Sequence, residues 1–229
     1  MLTTLEKQFK DRILNLDTSV VSDALDSLSI TGGLLDIKTR NPGKKMAGPA
    51  FTVRYAPITP NVENFQNAGN YIDEVLEGHI VVVDNQGRLD CTSWGGILTK
   101  KSISKNIGGT VVFGSIRDIN EIKNLHFPVF SSNVFMVSGK NRARVVEKQR
   151  KITINNVSIN PTDWIFGDDN GVLVIPFKDL NKVIDRAEKT KLTEKRIHGA
   201  ISEGVTLEKA REKYGYSTPW EEKNEHFIF

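Results

Sequence analysis

The stretch Ser93–Glu121, SWGGILTKKSISKNIGGTVVFGSIRDINE, decides how this chain is read. Trp94-Gly95-Gly96 stands ahead of a helical pattern predicted to run from Gly95 to Lys105. Gly109-Thr110-Val111-Val112-Phe113 follows, an apolar, β-branched run with the pattern of a buried strand. The stretch ends on Ser115-Ile116-Arg117-Asp118, with Glu121 three residues on. A glycine turn opening a helix presents unsatisfied backbone N–H groups to an anion. An Arg-Asp pair just past a buried strand adds one cation and one hard oxygen ligand. Turn, strand and charged pair together read as a small-anion and metal site.

Outward from this stretch the alternation continues. Ile80-Val81-Val82-Val83 is a second buried apolar run, entered through Gly78-His79 and left through Asp84 and a tight turn at Asn85-Gln86-Gly87-Arg88. Ala47 to Tyr55 reads as a strand entered through Gly48-Pro49, and Pro128-Val129-Phe130 as a short one. A short helix is predicted over Ile119–Leu125. Continuous apolar strands alternating with helices predict α/β architecture.

The flanks are helical at both ends. Leu5, Phe9, Ile13 and Leu14 recur at helical spacing, and Asp17, Thr18 and Ser19 are cap candidates for a helix over Val20–Leu28. Gly32-Gly33 and Asn41-Pro42-Gly43 break that pattern. Pro57, Pro60 and residues 61–70 predict a loop running into a short helix near Tyr71–Leu76. Residues 134–175 are richer in strands: Ile152–Ile154 and Val157–Ile159 around Asn155-Asn156 read as a hairpin, and Trp164–Phe166 and Val172–Ile175 flank a sharp acidic turn, Asp168-Asp169-Asn170-Gly171. From Phe177 the chain is helical and charged, with Leu180, Val183, Ile184 and Ala187 as its apolar stripe. Thr206 caps a last helix, Leu207–Tyr214. The expected organisation is one domain, 1–214, and a tail or docking segment, 215–229.

Composition excludes several classes. At 229 residues, 38% hydrophobic and 26% charged, the chain suits one substantial core. A net charge of +3, with only short basic clusters at Lys44-Lys45, Lys100-Lys101 and Lys148–Lys151, argues against a nucleic-acid partner. The lone Cys91 rules out an internal disulfide and a cysteine-based zinc site and reads as a small buried thiol. The N-terminus lacks an apolar leader segment and no run is long enough to span a bilayer, so a cytoplasmic location with no membrane partner is expected. His79, His126, His198 and His226 show no metal-ligand spacing. Neither a phosphate-binding glycine fingerprint nor a GxSxG elbow is present, which argues against nucleotide hydrolysis and against dinucleotide or S-adenosylmethionine binding.

Twenty residues separate Gly96 from Arg117, with Asp118 next and Glu121 after two more. Together with Gly48-Pro49-Ala50-Phe51-Thr52-Val53, His79–Asp84, Trp94–Leu98, Gly114–Asp118 and Asp168–Pro176, this spacing resembles that of the RraA-like family. That family includes RNase E activity regulators and class II 4-hydroxy-4-methyl-2-oxoglutarate aldolases. The resemblance runs roughly from Ser19 to Tyr214. It implies a compact α/β/β/α sandwich whose C-terminal helices, from about residue 177, pack on or reach a neighbouring subunit, in a homotrimer or a hexamer of paired trimers with sites at subunit interfaces. It implies that Asp118 binds Mg²⁺ or Mn²⁺ largely through waters, with Glu121 assisting. Arg117 would contact the keto oxygen of a pyruvyl unit, and the backbone of Gly95, Gly96, Ile97 and Leu98 would hold its carboxylate. Glu194 would complete the site from the C-terminal helix of the neighbouring subunit.

The implied activity is a metal-dependent lyase reaction on a small 2-oxo acid, giving pyruvate. One departure bears on which reaction. Aldolase members carry an aspartate at the place of Gly96, where it serves proton transfer. Its loss removes a general-base contribution of about 10²–10⁴-fold, which decarboxylation of oxaloacetate does not need. Oxaloacetate decarboxylase activity is therefore expected ahead of aldolase activity. The alternative is a non-catalytic regulator binding a ribonuclease or another protein. Methyltransfer, a label also attached to this family, lacks its cofactor loop here.

Overall fold

The computed structural model describes residues 1–58 and 69–221. Residues 59–68, most of the loop predicted from Pro57 to residue 70, and the end of the tail with His226 lie outside these residues. In chain order the helices are α1 (Thr4–Leu14), α2 (Thr18–Asp26), α3 (Gly96–Ser104), α4 (Ile119–Asn124), α5 (Leu180–Ser202) and α6 (Leu207–Tyr214). The strands are β1 (Lys38–Thr39), β2 (Met46–Pro57), β3 (Ile80–Asp84), β4 (Thr92–Trp94), β5 (Gly109–Ile116), β6 (Val129–Val134), β7 (Ala143–Lys148), β8 (Ile152–Ile154), β9 (Val157–Ile159), β10 (Trp164–Asp168) and β11 (Gly171–Ile175). Short 3₁₀ turns at Asn70–Glu74 and Phe177–Asp179 complete the set.

The four expected layers follow from the period-two alternation of the strands, which sends successive side chains to opposite faces. Val81 and Val83 of β3, Val112 of β5, and Phe51, Val53 and Tyr55 of β2 point outward, against Leu98 of α3, Ile122 of α4 and Tyr71. Their neighbours Ile80, Val82, Val111 and Ala50 point inward, where they meet Ile165 of β10, Val172 and Val174 of β11 and the β8–β9 hairpin. The opposite faces of β10 and β11, carrying Trp164, Phe166, Leu173 and Ile175, bury the apolar stripes of α1, α2 and α5. β2 joins the two halves, parallel to β3 on one side and antiparallel to β10 on the other. β3, β5 and β6 run parallel, linked through α3 and α4 in strand–helix–strand units. Cys91 is buried, as expected.

Three differences from the sequence reading have local causes. α2 begins at Thr18 rather than Val20, and Asp17 does not cap it. The acceptor comes from the acidic turn instead: Asp168 takes hydrogen bonds from the Thr18 amide (2.8 Å), the Thr18 hydroxyl (2.7 Å) and the Asn170 amide (2.9 Å). Asp17 pairs with Lys45 (2.7 Å), which holds its carboxyl below the usual range. Strands β1, β4 and β7 were not foreseen, because they are two residues, three residues and a charged edge. Within α6, the Thr206 hydroxyl accepts from the Lys209 amide as expected.

Candidate active site

Parallel α/β sheets place ligands beyond the carboxyl ends of their strands, and the conspicuous feature here is at the end of β5. β4 pairs with that end, Thr92 opposite Ser115 and Trp94 opposite Ile116, and the Arg117 amide donates to the Trp94 carbonyl at 3.1 Å. This register brings Gly95-Gly96, just after β4, beside Arg117-Asp118, just after β5. The turn is stapled further: Trp94 Nε1 donates to Thr99 Oγ1 (2.9 Å), which donates to the Gly95 carbonyl (3.0 Å).

Asp118 is held in a left-handed conformation (φ 62°, ψ 37°). Such backbone is disfavoured for residues other than glycine and concentrates at functional sites. The motif Asp118-Ile119-Asn120-Glu121 has the spacing of a helix capping box, yet Asp118 makes no side-chain cap to α4. Its Oδ2 accepts instead from the Gly96 amide at 2.9 Å and lies 3.5 Å from Arg117 Nε. Glu121 likewise turns away from α4, pairing with Lys100 of α3 at 2.5 Å. Both carboxylates are thus diverted onto the glycine turn.

The two glycines permit this approach. A Cβ on Gly95 would stand 2.6 Å from Asp118 Oδ2, and one on Gly96 only 1.8 Å from Glu121 Oε2. The Glu121 carboxylate therefore fills the space that a side chain at position 96 would take. Gly95 is the N-cap of α3 and supplies no side-chain acceptor. The first intrahelical bond is from Thr99 to Gly95, and Asp118 takes the Gly96 amide, so neither the helix nor a cap serves the amides of Ile97 and Leu98.

These groups face a pocket of about 300 Å³, lined among others by Gly95, Ile97, Leu98, Arg117 and Asp118. The structure thus brings together most of the site residues named from the sequence. Glu121 sits behind the turn rather than in the pocket wall, as does Gly96. Glu194 is elsewhere in the chain, on α5 facing α2, where burial and the neighbouring Asp23 carboxylate push its carboxyl up. Sequence reasoning missed Tyr55, Asn70, Thr92, Ser93, Ser138 and Lys140, all of which line the pocket. No spacing signals them, since they come from four separate segments. The Ser93 hydroxyl is buried with no hydrogen-bond partner among the described residues.

Among the described residues no three His, Cys, Asp or Glu side chains gather to hold a metal ion. The donor set available is one carboxylate in the pocket, Asp118, with Glu121 close behind it. Few carboxylates and many waters is the pattern of a hard cation that dehydrates reluctantly, such as Mg²⁺. No helix among the described residues is long and apolar enough to cross a membrane.

The fold defines a layered α/β protein with a pocket at the carboxyl end of its parallel strands, lined by Arg117, Asp118 and the first turn of α3. The chain belongs to the RraA-like family: the family model described as "RraA-like: Aldolase/RraA" matches residues 18–174. It is similar to Protein DlpA of Legionella pneumophila, 47% identical over 209 residues, which are 91% of this chain but 34% of DlpA, so the chain spans about a third of that relative's length. A Halalkalibacterium halodurans protein named "Putative 4-hydroxy-4-methyl-2-oxoglutarate aldolase" is 31% identical over 206 residues, covering 89% of this chain and 93% of that protein. Among solved structures, an uncharacterized protein from Pseudomonas syringae pv. tomato superposes with a TM-score of 0.83 at 41% identity, over 90% of this chain and 97% of that one. Streptomyces coelicolor RraAS2, from a family of RNase ES inhibitors, shares the fold with a TM-score of 0.75 at 21% identity, over 82% and 94% of the two chains.

Proposed function

We propose that this protein is a divalent-cation-dependent carbon–carbon lyase that releases pyruvate from a small 2-oxo acid. The observation that carries the reading is the convergence of Arg117, Asp118 and the open amides of α3 on one pocket. The aldolase name carried by the Halalkalibacterium relative supports the reaction class.

The amides of Ile97 and Leu98 donate to the substrate's first carboxylate, aided by the positive end of the α3 dipole. The Arg117 guanidinium donates to the 2-oxo oxygen. Asp118 would hold the cation, Mg²⁺ or Mn²⁺, with Glu121 assisting through water, and the cation would supply Lewis-acid stabilisation of developing negative charge. As the bond between C3 and C4 of oxaloacetate breaks, its electron pair moves toward the 2-oxo oxygen and CO₂ leaves. Charge thus develops where Arg117 already points, and such preorganised donors are typically the largest catalytic contribution. Protonation of the enolate at C3 by water gives pyruvate. Aldol cleavage needs in addition a base for the substrate hydroxyl, and Gly96 brings none. Oxaloacetate decarboxylation is therefore placed ahead of cleavage of 4-hydroxy-4-methyl-2-oxoglutarate.

Glu194, remote from the pocket of its own chain, enters a site only across a subunit boundary, so the reading includes a homotrimer or hexamer. Its test is pyruvate release from both substrates with Mg²⁺ and with chelator. Cation-dependent turnover of oxaloacetate, exceeding that of the free cation, supports it. No turnover of either acid, with tight association to a protein partner, would replace it by the regulator reading.

A further inference from the structure

At the β1 edge of the sheet stands a half-buried guanidinium with no anion. Arg40 directly follows β1, which pairs with β6. Its amide donates to the Val129 carbonyl (2.8 Å), its Nε to Ser131 Oγ (2.7 Å) and its Nη2 to the Ser131 carbonyl (2.7 Å). Among the described residues its other donors meet no acceptor and no carboxylate pairs with it. Burial pushes the guanidinium down from the ordinary arginine value, and no neighbouring acid acts against it. A cation taken out of water ordinarily comes with a partner, because its desolvation is otherwise uncompensated.

Arg40 lines a cavity of about 490 Å³ that shares no lining residue with the active-site pocket. Lys38 lines it as well, and it too makes no ion pair among the described residues. Asp36 is the one carboxylate in the wall and lies beyond ion-pair distance of both cations. The Ser132 hydroxyl, enclosed beside the cavity, has no hydrogen-bond partner among the described residues. Leu89 and Phe113 give the cavity an apolar wall, with the Phe113 ring packed on the turn after β3: a Cβ on Gly87 would stand 3.0 Å from its Cζ.

The donor set selects among anions. The planar fork of an arginine takes two oxygens of one group. A carboxylate has no further oxygen to offer Lys38, whereas a tetrahedral phosphoryl group does. We infer that this cavity is a phosphoryl-binding site, with Arg40 on two oxygens, Lys38 on a third and any organic part of the ligand against Phe113. The site stands apart from the proposed lyase reaction and does not depend on it.

The test uses the intact chain in phosphate-free buffer, with inorganic phosphate, glycerol 3-phosphate and phenyl phosphate as probes and acetate as the planar control. Calorimetry measures binding, and amide shifts in NMR spectra locate it. Phosphate should bind saturably, more weakly as salt is raised, with shifts centred on residues 38–40 and 131–133. Lys38 makes no side-chain bond among the described residues, so Lys38→Met tests the site without disturbing the fold. It should weaken phosphate roughly three- to tenfold, and Arg40→Lys, which loses the fork, roughly ten- to a hundredfold. Lys209→Met, which removes the same charge from α6, should change it less than about twofold. Equal affinity for phosphate and both esters would identify free phosphate as the ligand, and tighter binding of either ester an esterified one. The assignment is overturned if no probe binds saturably, if acetate binds as tightly as phosphate, or if the shifts centre on Gly95–Leu98. Equal losses in Lys38→Met and Lys209→Met would overturn it as well.

Discussion

Gly96→Ala separates folding from function at the glycine that opens α3. The added Cβ would lie 1.8 Å from Glu121 Oε2 and 2.6 Å from Glu121 Cδ, so the carboxylate must move. It is the far end of a flexible, partly exposed side chain, so moving it is cheap. The loss is the Lys100–Glu121 ion pair, whose side chains are 63% and 40% exposed and whose worth is about 0–1 kcal/mol. Against that, replacing glycine by alanine in a helix gains about 0.5–1 kcal/mol, less at the first turn. The two effects offset, and thermal unfolding should shift by no more than about 3 °C. Catalysis should not be spared, because Glu121 leaves the glycine turn. The assay is a double-mutant cycle on pyruvate release and Mg²⁺ affinity with Gly96→Ala, Glu121→Ala and the pair. If Gly96 acts by leaving room for Glu121, each single variant loses the same amount and the double variant loses no more. Losses that multiply in the double variant would refute the reasoning, and so would a collapse in stability of Gly96→Ala.

Three further outcomes follow from the same structure. Arg117→Lys keeps the charge but not the planar fork, and kcat for pyruvate release should fall by about 10²-fold or more with little change in unfolding temperature. Asp168→Ala leaves the buried donors of Thr18 and Asn170 without their acceptor, so denaturant titration should show a loss of about 2–4 kcal/mol. Glu194→Gln bears on pH. Burial and Asp23 hold the Glu194 carboxyl above its ordinary value, so the folded state binds the extra proton. Its contribution to stability is complete below the unfolded-state value and is lost as pH rises through the raised one. Variant and wild type should therefore unfold alike in acid, while at neutral pH the Gln variant should be more stable by a few tenths of a kcal/mol, screened by solvent. Pyruvate release should drop in the same variant if Glu194 completes a neighbour's site.

Much of this was legible because buried parallel strands write themselves as unbroken apolar runs. Ile80–Val83 and Thr110–Phe113 could be read that way, and their common helix, α3, followed from the glycines ahead of it. The layer order was harder, since it depends on which alternate faces meet: Val82 and Val111 turn to Ile165, while Val81 and Val112 turn to α3 and α4. Strand β4 was invisible because Thr92-Ser93-Trp94 is too short to show a period and is extended only by its register with β5. The meeting of the Gly95–Leu98 turn with Arg117 and Asp118 was legible from the strand–helix–strand order and the spacing. The orientation of its carboxylates was not: Asp118-x-x-Glu121 reads as a cap, and only the left-handed backbone at Asp118 turns both acids to the glycines. Lys140 carried no signal because its place comes from Gly139 docking on Thr92.

The central claim is that Asp118 makes this pocket a cation-dependent lyase site. The most direct measurement is the rate of pyruvate release from oxaloacetate by the wild type and by Asp118→Ala at one fixed Mg²⁺ concentration, with the rate for free Mg²⁺ subtracted. The account predicts saturable turnover by the wild type, abolished by chelator, and a residual rate in Asp118→Ala indistinguishable from zero. A folded Asp118→Ala variant that turns over as fast as the wild type would contradict it, as would a wild type no faster than the free cation.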